Sequence, residues 1–334
     1  MIIILKKDTA KERIKKIASE LQAAIISNHS RPDRVLVTPS ALKNLKKEFL
    51  PAVENYFVFD DDIQLASRKF MDVTREVNVG GITIGGHSKN TLVITGPCSV
   101  ESEEQIMQSG QLCKQLGVLV MRAGAFKPRT SPYTFQGLGI EGLKLLDKVR
   151  KKFGLKIITE VRDATHLEPV IEYADIIQIG AKSMYDHGIL NGCAKTRKPV
   201  LLKRGFGTTL QEFVQAAEFI LSGGNENLIL CERGIRTFET KTRFTLDLCG
   251  VAYLKKHVNL PVVVDPSHAI GYSYGVADLA RAAMAMGVDG LLIETHPNPS
   301  VAKSDASQQL NHKEFTELYS SLKAVAKAVG RNVV

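Results

Sequence analysis

Tryptophan is absent from this 334-residue chain, and the aromatic share reaches only 6%. Without aromatic residues interleaved among basic ones, the net charge of +9 does not read as a nucleic-acid surface. Many lysines fall in helical stretches such as 43–47 and 148–152, where a solvated face accounts for them. No nucleic-acid partner is expected. No apolar run approaches membrane-spanning length, so no membrane association is expected either. Met1–Leu5 gives way at once to Lys6, Lys7 and Asp8, too short a stretch for a signal peptide. The five cysteines, at 98, 113, 193, 231 and 249, are odd in number and lack C-x-x-C spacing. That excludes a disulfide framework and suits a reducing cytoplasm. A hydrophobic share of 44% beside 24% charged residues excludes wholesale disorder.

The length suffices for one large α/β domain and a small companion. The first sixty residues read as strand, helix, strand, strand, helix, strand. Ile2–Leu5 is apolar, Thr9 can cap a helix to about Leu21, and Ala23–Ser27 and Arg34–Val37 flank the turn-rich Asn28–Asp33. Pro39 opens a second helix through Phe49, and Tyr56–Phe59 closes the unit. This is the ferredoxin-like βαββαβ order, here over residues 1–62, a regulatory or assembly module. Residues 63–90 read as a linker (Asp60–Thr74 by composition) and a β-hairpin around Gly80-Gly81.

From residue 91 to 334 the pattern is strict strand–helix alternation. Strands are predicted near 91–95, 118–122, 155–160, 176–179, 199–202, 228–231, 262–265 and 290–294. Helices are predicted near 103–116, 138–152, 165–173, 184–191, 209–222, 244–257, 277–286 and 312–329. Eight βα units in about 240 residues match a (β/α)8 TIM barrel. The strand runs are continuously apolar, as parallel strands covered on both faces require. A doubly wound open sheet is second choice, since no G-x-G-x-x-G turn follows the first strand.

A barrel of this kind carries its chemistry at the C-terminal ends of its strands. Those positions hold Cys98, Arg122, Glu160, Lys182, Lys203, Arg233, His268 and Glu294, with Asp305 in the loop beyond. A thiolate, an imidazole and two carboxylates (Cys98, His268, Glu294, Asp305) would suit a borderline divalent ion such as Zn, Fe or Mn. The segment from Arg122 to Pro132 carries three cations and two hydroxyls, broken by Gly and Pro, and reads as an anion-binding loop. Lys203-Arg204 and Arg233 would oppose it and hold a second anionic group.

Several of these runs resemble 3-deoxy-D-arabino-heptulosonate 7-phosphate (DAHP) synthases, type I beta branch, which carry an N-terminal ferredoxin-like domain. The runs are Gly96-Pro-Cys-Ser-Val-Glu101, Lys127-Pro-Arg-Thr-Ser131, Leu201-Leu-Lys-Arg-Gly205, Asp265-Pro-Ser-His268, Glu294-Thr-His-Pro297 and Ser304-Asp305. The related 3-deoxy-D-manno-octulosonate 8-phosphate synthases usually read Ala-Asn-Arg where this chain has Lys127-Pro128-Arg129. The resemblance implies a metal-dependent, aldol-like condensation of phosphoenolpyruvate with erythrose 4-phosphate that releases phosphate, the first step of the shikimate pathway. Cys98, His268, Glu294 and Asp305 match the family's metal ligands, the ion being Mn, Fe, Zn or Co. Arg122, Lys127, Lys182, Lys203 and Arg233 match residues gripping phosphoenolpyruvate. Arg129, Thr130 and Ser131, with Asp305, fall where erythrose 4-phosphate binds. Lys127, Glu160 and His268 form the implied catalytic set, Lys127 as proton donor. An aromatic amino acid effector acting through the N-terminal unit, and a homotetramer, are further implications.

One run departs from the family. Where it usually reads Ile-Gly-Ala-Arg-Asn-Met-Gln-Asn, this chain has Ile179-Gly-Ala-Lys182-Ser183-Met184-Tyr185-Asp186. Lys182 keeps the charge and loses the bidentate fork, which predicts weaker phosphoenolpyruvate binding or a shifted acceptor preference. Three other readings stay open from sequence: an octulosonate-type enzyme using another phosphosugar, a Schiff-base aldolase built on Lys203, and a non-catalytic phosphosugar-binding regulator.

Overall fold

The computed structural model describes residues 1–26, 34–127 and 131–334. Near its start, β1 (Ile2–Leu5) lies inside an antiparallel sheet of order β2-β3-β1-β4, with β2 Ala24–Ile26, β3 Val35–Val37 and β4 Val53–Phe57. This is the ferredoxin-like order. Strand alternation sends Ile3 and Leu5 towards α1 (Lys11–Glu20), whose Ile14 and Ile17 complete that core. Ile2, Ile26 and Val35 face the other way and join the core beneath the barrel helices. Burial on both faces explains why β1 is apolar throughout; each side chain contributes about 2 kcal/mol.

The second helix expected from Pro39 to Phe49 does not form; that stretch is irregular and leads into a 3-10 turn, Lys47–Ala52. Lys43, Lys46 and Lys47 would repel one another on one helical face, and the Lys43 ammonium instead donates to the Phe59 carbonyl. Two smaller differences concern α1, whose N-cap is Ala10 rather than Thr9, and β4, which starts three residues early. Ser27 and the turn Asn28–Asp33 include positions outside the described residues.

Residues 58–76 tie this unit to the rest of the chain. Glu218 accepts backbone N–H bonds from Gln64, Leu65 and Ala66 at 2.7, 3.1 and 2.8 Å. Burial pushes its carboxyl up to about 7 against those donors and Arg75. Next in the chain comes the hairpin, β5 (Val77–Val79) and β6 (Ile82–Ile84).

Eight parallel strands then close on themselves. They are β7 Asn90–Gly96, β8 Val120–Arg122, β9 Lys156–Val161, β10 Ile176–Ile179, β11 Val200–Lys203, β12 Leu228–Glu232, β13 Val262–Val264 and β14 Gly290–Glu294. The β14–β7 pairing, from Gly290↔Leu92 to Glu294↔Gly96, completes the (β/α)8 barrel. Inward residues such as Ile94, Ile158, Leu201 and Leu292 pack in one cluster with Val77, Val79 and Ile84, so the hairpin packs against the barrel's interior. Outward residues such as Val93, Ile177 and Leu230 lie under the helices.

The helices are α2 Glu103–Leu116, α3 Ile140–Phe153, α4 Leu167–Tyr173, α5 His187–Lys195, α6 Leu210–Ser222, α7 Leu248–His257, a short α8 Pro266–Ile270, α9 Ser273–Ala285 and α10 His312–Ala328. Two start later than the periodicity suggests because an aspartate caps each of them. Asp186 accepts from Ile189 N ahead of α5, and Asp247 from Gly250 N ahead of α7. A final strand not anticipated, β15 (Asn332–Val333), pairs with β7. No helix among the described residues is long and apolar enough to cross a membrane.

Candidate active site

Cys98, Glu294 and Asp305 converge beyond the β7–β14 seam, with one donor atom from each within 4.8 Å of the others. Cys98 Sγ lies 3.3 Å from Asp305 Oδ2. His268 lies just beyond β13, and its Nε2 is 3.4 Å from Glu294 Oε1 and 3.8 Å from Asp305 Oδ2. Tetrahedral bonds of about 2.0–2.3 Å place donors about 3.3–3.8 Å apart; these three spacings fall in that range, while His268 stands outside the tighter group of Cys98, Glu294 and Asp305.

Local structure holds each donor. Gly96 has φ +140°, and a Cβ there would meet the Arg122 carbonyl at 2.1 Å, so glycine is required just before Pro97-Cys98. Asp305 adopts φ +46°, a left-handed conformation that aspartate tolerates better than most residues. Its loop is pinned to the Cys98 loop by Ser99 Oγ to Ser304 Oγ (2.6 Å), by Lys303 N to Glu101 (2.9 Å) and by Cys98 N to Gln309 Oε1 (3.0 Å). Asp265 accepts from His268 Nδ1 at 2.7 Å and from Lys203 Nζ at 2.5 Å. His268 and Lys203 hold its carboxyl far below the usual range despite burial, so Nδ1 carries the proton. The Nε2 lone pair is left to face the two carboxylates.

The electrostatics of the cluster ask for a cation. Burial and then Glu294 push the Cys98 thiol up to about 12, although Lys127 Nζ sits 3.0 Å from its sulfur. Glu294 and Asp305 are both driven down, against burial, by His268 together with Arg122 and Lys127 respectively. Burial lowers the His268 imidazole below its ordinary value. A neutral imidazole, two carboxylates and a protonated thiol make a donor set that a divalent ion would complete by displacing the thiol proton.

Beside the cluster opens a cavity of about 120 Å³ lined by Lys127, Lys182, Lys203, Arg233 and Arg243 against the carboxylates of Glu160 and Asp305. Arg233 is 4% exposed, lies 4.3 Å over the Phe244 ring, and its Nη1 has no hydrogen-bond partner among the described residues. A buried cation with a free donor so placed suits an anionic ligand. Glu160 accepts from Gln178 Nε2 at 2.6 Å, and a Cβ on Gly180 would lie 2.3 Å from its Oε1. A side chain at 180 would push the Glu160 carboxylate from this position.

A profile of the DAHP synthetase I family matches residues 66–331. The chain belongs to this family. It is 41% identical over the whole of both chains to phospho-2-dehydro-3-deoxyheptonate aldolase of Thermotoga maritima. The crystal structure of that protein superposes with TM-score 0.81 at 39% identity, covering 100% of this chain and 99% of that one. A 2-dehydro-3-deoxyphosphooctonate aldolase of Magnetococcus marinus is 33% identical over 75% of this chain and 92% of its own length.

Against the family pattern, most of the expected site residues meet at this one rim. Arg122 is buried beside Glu294, its Nε without a partner among the described residues, and like Cys98 and Glu294 it is not among the residues that line the cavity. Ser131 lies in a turn whose carbonyl accepts from Thr134 and Gln136, away from the cavity lining. Arg129 and Thr130 lie outside the described residues. Arg204 does not join the anion site expected for Lys203-Arg204, because Glu232 (2.9 Å) and Asp247 (2.8 Å) take up its guanidinium.

The departing run after β10 has local uses. Tyr185 bonds Glu212, Asp186 caps α5, and His187 packs edge-on against Phe219 at 4.7 Å. Lys182 alone of this run faces the cavity with Ala181. Arg243, Phe206 and Phe244 were not singled out from sequence. Placing 244–257 in a helix hid the loop that carries Arg243 and Phe244, and the Asp247 cap was the signal that could have exposed it.

Proposed function

We propose that this enzyme condenses phosphoenolpyruvate with erythrose 4-phosphate to give 3-deoxy-D-arabino-heptulosonate 7-phosphate and phosphate. The observation that carries this reading is the joining of a three-donor cluster, with His268 beside it, to a cavity where five cations face two carboxylates. Two phosphorylated substrates supply the missing negative charge.

Cys98, His268, Glu294 and Asp305 would hold the divalent ion, whether Mn, Fe, Zn or Co. When bound it supplies Lewis acidity towards the aldehyde oxygen. The chain does the rest. Arg233, Lys203, Lys182 and Arg122 neutralise the carboxylate and phosphate of phosphoenolpyruvate. Lys127 Nζ, raised above its ordinary value by Cys98 and Glu160 against burial, holds a proton beside both parts of the site. C3 of phosphoenolpyruvate attacks the aldehyde, water adds at C2 near Glu160, and phosphate leaves. Arg129, Thr130, Ser131 and Asp305 are assigned to erythrose 4-phosphate. Lys203 is a poor Schiff-base nucleophile, since its ammonium donates to Asp265.

The test is phosphate release from phosphoenolpyruvate, expected only with erythrose 4-phosphate present, lost with a chelator and restored by Mn. Borohydride trapping of a substrate adduct on Lys203 would overturn the reading. A second expectation concerns Lys182→Arg. Restoring the planar fork should lower the Michaelis constant for phosphoenolpyruvate about threefold to tenfold, the worth of one better-matched charge-assisted bond. An unchanged constant rejects it.

The N-terminal unit is assigned a regulatory or assembly role in a cytoplasmic homotetramer. Titrating activity with Phe, Tyr and Trp separates the two, a flat response to all three favouring assembly.

A further inference from the structure

Behind Glu294 stands Gln308, in the 3-10 turn Ala306–Gln308 just after Asp305 and only 1% exposed. Its Nε2 donates to Glu294 Oε2 at 2.6 Å, and its Oε1 accepts from Arg243 Nη1 at 2.8 Å. These two bonds fix the sense of the amide. Flipping it would set its carbonyl against a carboxylate and its NH2 against a guanidinium. One oxygen of Glu294 is thereby held, while the other, Oε1, faces His268 Nε2 and Arg122. The Gln308 backbone N–H also donates to the Asp305 carbonyl at 3.3 Å, across the left-handed turn that presents that carboxylate.

We infer that Gln308 is a positioning residue for the donor cluster, oriented by Arg243, and that it sets which oxygen Glu294 presents. The inference rests on the reading that Cys98, His268, Glu294 and Asp305 hold a divalent ion. Outer partners of this kind govern ligand orientation and typically account for 10–100-fold in metal affinity. No residue of the cluster itself needs to change for the effect to be seen.

The experiment titrates the metal-free full-length protein with Mn2+ by calorimetry, for the wild type, Gln308→Ala and Arg243→Ala. Thermal unfolding of the metal-free forms is measured alongside. Gln308→Ala is expected to weaken Mn2+ binding about 10–100-fold. Arg243→Ala, which frees the amide to turn, is expected to weaken it less but measurably. A merely structural Gln308 would lower the metal-free melting temperature and leave the Mn2+ affinity within twofold of wild type, and that result overturns the inference. Should Gln308→Ala not fold, Gln308→Met decides in its place, since it fills the same space without the amide, whereas Arg243 also pairs with Asp305 at 3.8 Å. An unchanged affinity there overturns the inference too. Failure of the wild type to bind Mn2+ at all overturns the metal reading itself, a different outcome.

Discussion

Cys98→Ser should cost about a thousandfold in turnover while leaving the barrel folded. The size reflects the loss of several kcal/mol of charge stabilisation when the ion is no longer held. The fold should survive because serine is slightly smaller than cysteine and keeps both local bonds. Its hydroxyl can accept from Lys127 Nζ and donate to Asp305, as the thiol does at 3.0 and 3.3 Å. A hydroxyl does not give up its proton as a thiol does on meeting a divalent ion, so affinity falls although the packing does not. Metal content after dialysis, turnover and thermal unfolding should be measured on one preparation. Full turnover with normal metal content would mean that Cys98 only fills the core.

Arg233→Met should raise the Michaelis constant for phosphoenolpyruvate about 10–100-fold and should not destabilise the free protein. Losing a hydrogen bond to a charged group removes about 1.5–3 kcal/mol of binding. In the free enzyme, however, burial already lowers the Arg233 pKa, and its Nη1 is unpartnered among the described residues. An apolar side chain of similar length relieves that cost and keeps contact with Phe244. Arg204→Met is the contrasting variant. Arg204 is equally buried but bridges Glu232 and Asp247, so its removal strands two carboxylates and should cost about 3–5 kcal/mol of stability. If the two variants melt alike, the assignment of Arg233 to a ligand and Arg204 to the scaffold is wrong.

Those two arginines also show how far the sequence could be read. Both come just after an apolar strand and look alike in the chain. Only the carboxylates opposite them tell them apart, and Asp247 lies forty-three residues from Arg204. The barrel was legible because each of its strands is a short apolar run ending in a charged or metal-competent group. The donors were legible for the same reason. Asp305 was read only as a carboxylate in the loop beyond the last strand, since its left-handed turn gives no periodic signal. The helix expected at Pro39–Phe49 failed because its apolar spacing was outweighed by a lysine cluster on one face. Arg243 and Gln308 were missed because their roles lie in hydrogen bonds to each other and to Glu294, sixty-five and fourteen residues apart in sequence.

The seam between β14 and β7 has a consequence for how the protein is made. Cys98 follows the first strand of the barrel and Glu294 ends the last, and the register that brings them together is the pairing that closes it. Contacts this distant in sequence form late, after the entropy of a long loop has been overcome. A chain that has emerged only to the end of β13 presents Cys98 without Glu294 or Asp305. Cys98 and Glu294 therefore come together only as the barrel closes.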